Sequence, residues 1–272
     1  MRADPIDAAA LTRELVRPDS VWHTVEVVAE TGSTNADLAA RARSGELPGA
    51  VLITDFQSSG RGRQGRAWTA PPGTGIALSV LVRPDPIPPA RWTWLPLLAG
   101  LAVSDALRQR LQLPADLKWP NDVLVGERKL CGILAERVET PAGPAVVVGI
   151  GLNVTLRPDQ LPVAAATSVA IEVDRLGAVE LVLERTTLIT TILVSLERIL
   201  QQWTLTGSDA AVAIAYTERC STLGRHVRVE LGTSAVEGIA EAIDPDGRLV
   251  IATPQGPQAF SAGDVTHLRT TD

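Results

Sequence analysis

The chain has 272 residues, 45% of them hydrophobic, enough for one sizeable core with or without a small appendage. Its longest apolar stretches, residues 94–103 and 145–152, fall well short of the roughly 20 residues that span a bilayer. Two cysteines, Cys131 and Cys220, can build neither a disulfide framework nor a Cys-based zinc site, and a formal charge of −6 opposes general attraction to nucleic-acid phosphates.

Residues 1–10 carry Asp4, Pro5 and Asp7 where a secretion signal needs a basic start and an apolar run, so a cytoplasmic location is expected. Residues 7–16 read as a short helix and 24–29 as a strand. Glu30-Thr31-Gly32-Ser33-Thr34-Asn35 follows, with a hydroxyl placed to cap a helix over 36–43. Residues 50–56 predict a strand, 58–68 a Gly/Arg loop, and 76–82 a second strand closed by Pro84, Pro86, Pro88 and Pro89. Residues 92–111 are apolar nearly all round, as in a buried helix, with Pro96 tolerable near its start. Residues 117–125 and 129–138 are β-like runs separated by a hairpin at Gly126-Glu127-Arg128. The unbroken apolar run at 146–154 predicts a strand buried on both faces, and 176–202 and 209–218 predict amphipathic helices. The fold expected is α+β, a mixed β-sheet with helices packed on one face.

From about residue 221 the texture changes to short strands at 226–231, 236–243, 249–253 and 259–260. The turns between them include Asp244-Pro245-Asp246-Gly247 and Pro254-Gln255-Gly256-Pro257, which predicts a small β-barrel of roughly 50 residues. The expected division is residues 1–220 and 221–272.

Four stretches carry chemistry. In Gln57-Ser58-Ser59-Gly60-Arg61-Gly62-Arg63-Gln64-Gly65-Arg66-Ala67-Trp68, the glycines let backbone N–H groups approach an anion, and the arginines supply bidentate charge. The spacing Gly60-x-Gly62-x-x-Gly65 fits a dinucleotide fingerprint, but the residues that follow cannot open the required helix; a P-loop reading lacks its Lys and hydroxyl. Trp68 beside this charge density reads as a stacking surface for a base, and the loop as one that orders when an anion neutralises it. In Lys118-Trp119-Pro120-Asn121-Asp122, Pro120 breaks the strand where Asn121 and Asp122 are presented. In Lys129-Leu130-Cys131-Gly132-Ile133-Leu134-Ala135-Glu136, the period of a strand puts Lys129, Cys131, Ile133 and Ala135 on one face, where a lysine needs an anion or an edge. In Gly149-Ile150-Gly151-Leu152-Asn153, glycines in a buried strand leave room for a ligand or another backbone. Only two of the 25 basic residues are lysine, Lys118 and Lys129, and both fall inside these motifs.

Taken in order, Thr31-Gly32-Ser33-Thr34-Asn35, the 60–68 loop, Lys118 to Asp122, Arg128-Lys129-Leu130-Cys131-Gly132 and Gly149 to Asn153 resemble the biotin protein ligase family. The ending Gly263-Asp264-Val265-Thr266-His267-Leu268-Arg269 resembles that family's C-terminal barrel. The resemblance runs from about Thr31 to the C-terminus. It implies a class II synthetase-like catalytic domain with a small SH3-like barrel, and an ATP-dependent biotin-[acetyl-CoA-carboxylase] ligase that forms biotinyl-5′-AMP and pyrophosphate, then biotinylates one lysine of a biotin carboxyl carrier protein domain.

The resemblance also implies residue roles. Biotin contacts fall to Ser33, Thr34, Asn35, Gln57, Gly60, Arg61, Arg63, Lys129, Gly132 and Gly149; ATP contacts to Arg63, Arg66, Trp68, Lys118, Asn121, Asp122, Lys129 and Asn153. Lys129, Arg63 and Asp122 are the candidate catalytic residues, with Asp122 a base for transfer and a candidate Mg²⁺ ligand beside the phosphates. Only about 20 residues precede the first catalytic strand, too few for the DNA-binding domain that some members carry, so no DNA partner is expected, in a monomer or weak homodimer. Two rival readings are a lipoate or octanoate ligase or acyltransferase of the same fold, with Cys131 as a thioester nucleophile rather than a core residue, and a non-enzymatic RNA-binding module built on the Arg/Gly loop.

Overall fold

A computed structural model of the chain describes residues 4–85, 87–177, 184–206, 210–232 and 234–268. Asp7 caps α1 (Ala8–Leu15) by accepting the Ala10 N–H at 2.9 Å. Ser33 caps α2 (Thr34–Arg43), its hydroxyl accepting from the Ala36 N–H. That helix is the crossover between β1 (Thr24–Val28) and β2 (Ala50–Thr54), which pair in parallel.

The remaining strands of this sheet, β3 (Gly75–Val82), β4 (Ala115–Lys118), β5 (Asp122–Val125), β6 (Arg128–Thr140) and β7 (Gly143–Asn153), are antiparallel to their neighbours. The sheet order is β1-β2-β3-β7-β6-β5-β4. Alternate residues of the central strands separate two cores. Val51, Ile53, Leu78, Val80, Val148 and Ile150 pack under α1, the all-round apolar α3 (Trp94–Leu111) and α5 (Arg185–Thr206). Ala50, Leu81 and Val147 point the other way, onto Leu38, Ala39 and Ala42 of α2. Both faces of β2, β3 and β7 are therefore apolar, which is why the sequence shows runs there instead of alternation. The main helical layer lies on one face, and α2 covers part of the opposite one.

A second, five-stranded antiparallel sheet forms the small barrel: β8 (His226–Leu231), β9 (Ser234–Ile243), β10 (Leu249–Thr253), β11 (Gly256–Phe260) and β12 (Asp264–His267), in the order β11-β10-β9-β8-β12. Its β9–β10 turn docks on the large sheet's side of the molecule. The Trp94 indole N–H donates to the Pro245 carbonyl at 2.9 Å, and that of Trp119 to the Gly247 carbonyl at 3.1 Å.

Three sequence expectations are corrected. Residues 117–125 are not one run: β4 and β5 form a tight antiparallel pair, with Lys118 directly opposite Asp122. The helix expected over 176–202 begins at Arg185, and residues 178–183 lie outside the described residues. Ahead of it the structure has an unpredicted short helix, α4 (Val169–Arg175), capped by the Ser168 hydroxyl. Its seven residues are too few to show helical periodicity. The helix expected over 209–218 is α6 (Ala210–Thr217), with residue 209 outside the described set. No described helix is long and apolar enough to cross a membrane.

α4 is tied to the start of β6. Arg128 donates to both Glu172 carboxylate oxygens at 2.9 and 2.7 Å, Thr167 adds a hydroxyl, and Glu172 is only 2% exposed. Burial works to raise the Glu172 pKa, but Arg128 and Thr167 together hold it below its ordinary value of 4.5. A carboxylate with a lowered pKa contributes stability above the ordinary carboxylate range and loses it as pH falls through the lowered value. Arg128→Ala is expected to destabilise the protein by about 1–3 kcal/mol at pH 7 in urea unfolding, a discount from a fully buried pair because Arg128 is partly exposed. The difference should shrink as the pH is lowered through the carboxylate range; equal midpoints at pH 7 would contradict the tether.

Candidate functional site

The site lies on the α2 face of the sheet, where α2 stops and the covering side chains disappear. Along β7, Val147 sits beneath α2, but the next two residues on that face are Gly149 and Gly151. A Cβ on Gly149 would lie 2.1 Å from the Asn35 side-chain oxygen, and one on Gly151 would lie 2.5 Å from the Trp68 ring. Glycine is therefore required for the close approach of α2 and the 60–68 loop to the strand. Opposite, Gly132 pairs with Gly151, so the trench continues across β6.

Its floor is polar and buried. Ser33, Thr34, Asn35 and Ser79 are each at most 5% exposed. The Asn35 amide donates to the Leu134 carbonyl at 3.0 Å and to Glu136 at 2.7 Å, while the Ser79 hydroxyl lies 2.6 Å from Asn35 Oδ1 and 2.7 Å from Thr34 Oγ1. The Gln57 side-chain oxygen accepts the Thr34 N–H at 2.8 Å.

Residues 60–68 fold back as a narrow hairpin. The Trp68 N–H donates to the Gly60 carbonyl, and the Gly62 N–H to the Arg66 carbonyl. Gln64 and Gly65 take positive φ at the tip. Each arginine has a partner within the chain. Arg61 faces Glu136 at 3.8 Å; Arg63 donates to Asn121 at 3.0 Å and to the Gly263 carbonyl at 3.3 Å; Arg66 pairs with Asp264 at 2.6 Å. The ligand neutralisation expected from sequence is thus partly anticipated by acids of the sheet and barrel. Trp68 lies over Gly132 and Gly151, with the Lys129 ammonium 5.8 Å from its ring centroid.

Lys129 does not share a face with Cys131 and Ile133, as strand periodicity suggested. Val123 pairs with Cys131 but Leu124 pairs with Lys129, so β6 carries one extra residue here, Leu130. This bulge sends Leu130, Cys131 and Ile133 into the core and turns Lys129 onto the trench side. There its ammonium meets Asp122 at 2.6 Å. Beyond Cys131, β7 has ended and the freed edge of β6 bonds to residues 165–167: the Lys129 N–H to the Ala165 carbonyl and the Thr167 N–H to the Lys129 carbonyl. Asn153 fixes that segment by donating to the Thr167 carbonyl at 2.9 Å, and Asn121 is held by the Ile133 carbonyl at 2.9 Å.

These groups line one cleft of about 530 Å³, which contains all the sequence-predicted site residues except Gly60. Gly60 lies outside the lining because it is packed against the Trp68 carbonyl and Gln57. Five cations, Arg61, Arg63, Arg66, Lys118 and Lys129, face four carboxylates, Asp122, Glu136, Glu230 and Asp264, so the cleft keeps a small surplus of positive charge in a chain of net charge −6. Burial lowers the Lys118 pKa, as does Lys129, while Asp122 opposes the shift. Burial also lowers that of Arg63. Cys131 is wholly buried and burial pushes its thiol well above the ordinary range, which removes it as a nucleophile. Sequence reasoning missed Ser79 and Glu136, which read as ordinary strand residues, and Asp264, whose role needs the barrel to be folded against the loop. A wider depression between α3 and α5, lined by Asp105, Arg108, Arg198 and Arg219, holds none of the motif residues.

A buried polar floor opening into a cleft rich in cations, on a mixed sheet, makes a binding site for a ligand with a polar head and an anionic tail. The chain matches the biotin/lipoate A/B protein ligase family over residues 29–153 and the biotin protein ligase C-terminal domain over residues 222–268. It is 43% identical to a biotin–[acetyl-CoA-carboxylase] ligase of Mycobacterium tuberculosis, over 97% of each chain. It is 28% identical to the bifunctional ligase/repressor of Bacillus subtilis, covering 94% of this chain and 76% of that protein. The fold superposes on the biotin protein ligase from Aquifex aeolicus in complex with biotin and ATP, with TM-score 0.74, 26% identity, and 92% and 100% of the two chains covered. The chain belongs to the biotin protein ligase family.

Removing the Arg66 partner should loosen the hairpin. Asp264→Ala is expected to speed tryptic cleavage after Arg61, Arg63 and Arg66 by about 2- to 5-fold, the worth of one partly exposed ion pair. Cleavage at the wild-type rate would show that the barrel does not hold the loop.

Proposed function

We propose that the chain is a biotin–[acetyl-CoA-carboxylase] ligase: it condenses biotin with ATP to biotinyl-5′-AMP and pyrophosphate, then transfers the biotinyl group to a lysine of a biotin carboxyl carrier domain. The observation that carries this reading is the join of two unlike compartments at Lys129. A floor of buried Ser33, Thr34 and Asn35 with half-buried Gln57, able to hydrogen-bond a neutral cyclic urea, runs directly into a cleft with a surplus of cations suited to a carboxylate and a polyphosphate.

In the first step the biotin carboxylate attacks the α-phosphorus of ATP and pyrophosphate leaves. No enzyme nucleophile is needed. Lys129 and the hairpin N–H groups orient the carboxylate, while Arg63, Arg66 and Lys118 stabilise charge growing on the phosphoryl oxygens. Asn121 supports this by fixing the Arg63 guanidinium. The Lys129–Asp122 pair keeps the ammonium aimed into the cleft before substrate arrives. Trp68 lies beside this pair, where its face is available to the adenine side of the cleft.

The residues also fit a phosphate-borne Mg²⁺. No described group of three or more His, Cys, Asp or Glu side chains could cage a metal, but Mg²⁺ commonly takes one carboxylate alongside phosphates and waters, and Asp122 would be that carboxylate here. Bound there, it would neutralise phosphate charge. In the transfer step the acceptor lysine must lose a proton before its amine attacks the mixed anhydride and AMP leaves. Asp122, in the lining of the cleft, is the base we assign to that proton. Of the two activities in the name of the Bacillus relative, the cleft accounts for the ligase, and we assign no DNA-binding role.

Lys129→Ala is expected to slow adenylate formation by about 10²–10³-fold in single turnovers; an unchanged rate would remove Lys129 from the mechanism. Asp122→Asn should slow transfer more than adenylation if Asp122 is the base. The reading as a whole is tested by calorimetric titration with biotin and with lipoic acid, each with and without ATP and Mg²⁺. Biotin binding that tightens with ATP, with no heat from lipoate, is expected, and binding of lipoate alone would overturn the substrate assignment.

A further inference from the structure

Counting protons on the pocket floor assigns a direction to each of its hydrogen bonds. Asn35 spends both amide hydrogens, on the Leu134 carbonyl at 3.0 Å and on Glu136 at 2.7 Å, so its oxygen must accept. The group at hand is the Ser79 hydroxyl at 2.6 Å, which therefore donates to Asn35. Having one hydrogen, Ser79 can only accept from Thr34 Oγ1, 2.7 Å away. Thr34 thus turns its proton inward to Ser79, away from the longer 3.1 Å contact with the Gln57 oxygen. Gln57 Oε1 accepts the Thr34 N–H at 2.8 Å, which fixes the amide so that its hydrogens are left to donate. Ser33 accepts the Ala36 N–H at the helix cap, so its own hydroxyl hydrogen is left to donate.

We propose that Ser79 is a positioning residue that determines specificity for a cyclic urea: by taking the Thr34 proton and passing its own to Asn35, it makes Thr34 Oγ1 an acceptor facing the pocket between the donors of Ser33 and Gln57. A cyclic urea displays the complementary pattern, a carbonyl acceptor beside N–H donors. A dithiolane ring or an alkyl tail offers neither, and would leave Ser33, Thr34 and Gln57 without partners. Ser79 itself is 0% exposed and reaches the ligand only through Thr34 and Asn35. Replacing it by alanine removes the acceptor that holds the Thr34 proton inward, and a Thr34 hydroxyl that then points its proton into the pocket meets a urea N–H as donor against donor.

This inference rests on the biotin reading above, and its test separates the two. Equilibrium binding of biotin, lipoic acid and ATP, with KM and kcat from biotin-dependent ATP–pyrophosphate exchange, is measured on wild type, Ser79→Ala and Ser79→Thr, with melting temperature as the control for folding. Ser79→Ala is expected to weaken biotin binding by about 10-fold or more, raise the biotin KM, leave the ATP KM unchanged and narrow the preference for biotin over lipoic acid. Ser79→Thr, which keeps the hydroxyl, is expected to recover most of the loss. If Ser79→Ala does not fold, Ser79→Cys is read in its place, with the same loss expected from its weak S–H donor. Wild-type biotin affinity in the folded Ala or Cys variant, or equal losses for biotin and ATP, would overturn the proposal. Failure of the wild-type protein itself to bind biotin would instead overturn the functional reading on which it rests.

Discussion

The strand β7 has to satisfy two opposite demands, and the site follows from how it does so. On the side facing α3 and α5 it presents Val146, Val148, Ile150 and Leu152 to a continuous core. On the other side it must let a helix end and a loop come within contact distance of its backbone, and only Gly149 and Gly151 permit that. Because the crossover helix α2 begins only at its Ser33 cap, its first residues border this bare stretch and form the floor of a pocket. The 60–68 hairpin then supplies the missing cover. A single missing Cβ at each of two positions thus decides where the sheet is solid and where it is open.

Charge is arranged around the same opening. The β6 bulge at Leu130 puts a lysine where the strand's period would put a core residue, and the β4–β5 pair delivers Asp122 to meet it. With the ammonium already paired, the cleft avoids the cost of an uncompensated cation. The arginines of the hairpin are treated alike, and one of their partners, Asp264, comes from the barrel. The barrel is also anchored at its far turn by the Trp94 and Trp119 indoles. It therefore acts as a wall of the site held at two points.

Much of this was legible in the sequence because the relevant signals are local. The Ser33 cap, the buried helix through Pro96, the apolar run of β7 and the Asp-Pro-Asp-Gly turn each declare themselves within a few residues, and the ordered motifs carried the family. What was not legible depends on pairing. The face of Lys129 was misassigned because a bulge is a property of two strands, and one strand's period cannot reveal it. Ser79 reads as one small residue in an apolar strand until Thr34 and Asn35 are folded onto it. The short α4 was lost because seven residues are too few to declare a helical period.

The arginine bias of the chain acquires a meaning from the location of its two exceptions. A mixed anhydride of biotin is an acylating agent toward any free amine. Lys118 and Lys129, the only lysines, both line the cleft, and Lys129 is paired there with Asp122. The other 23 of the 25 Lys and Arg side chains are guanidinium groups, which stay protonated and do not compete as nucleophiles. Adenylate that leaves the cleft early meets no lysine on the outer surface of the enzyme that made it, so the molecule is poorly suited to labelling itself and the activated group is kept for other amines.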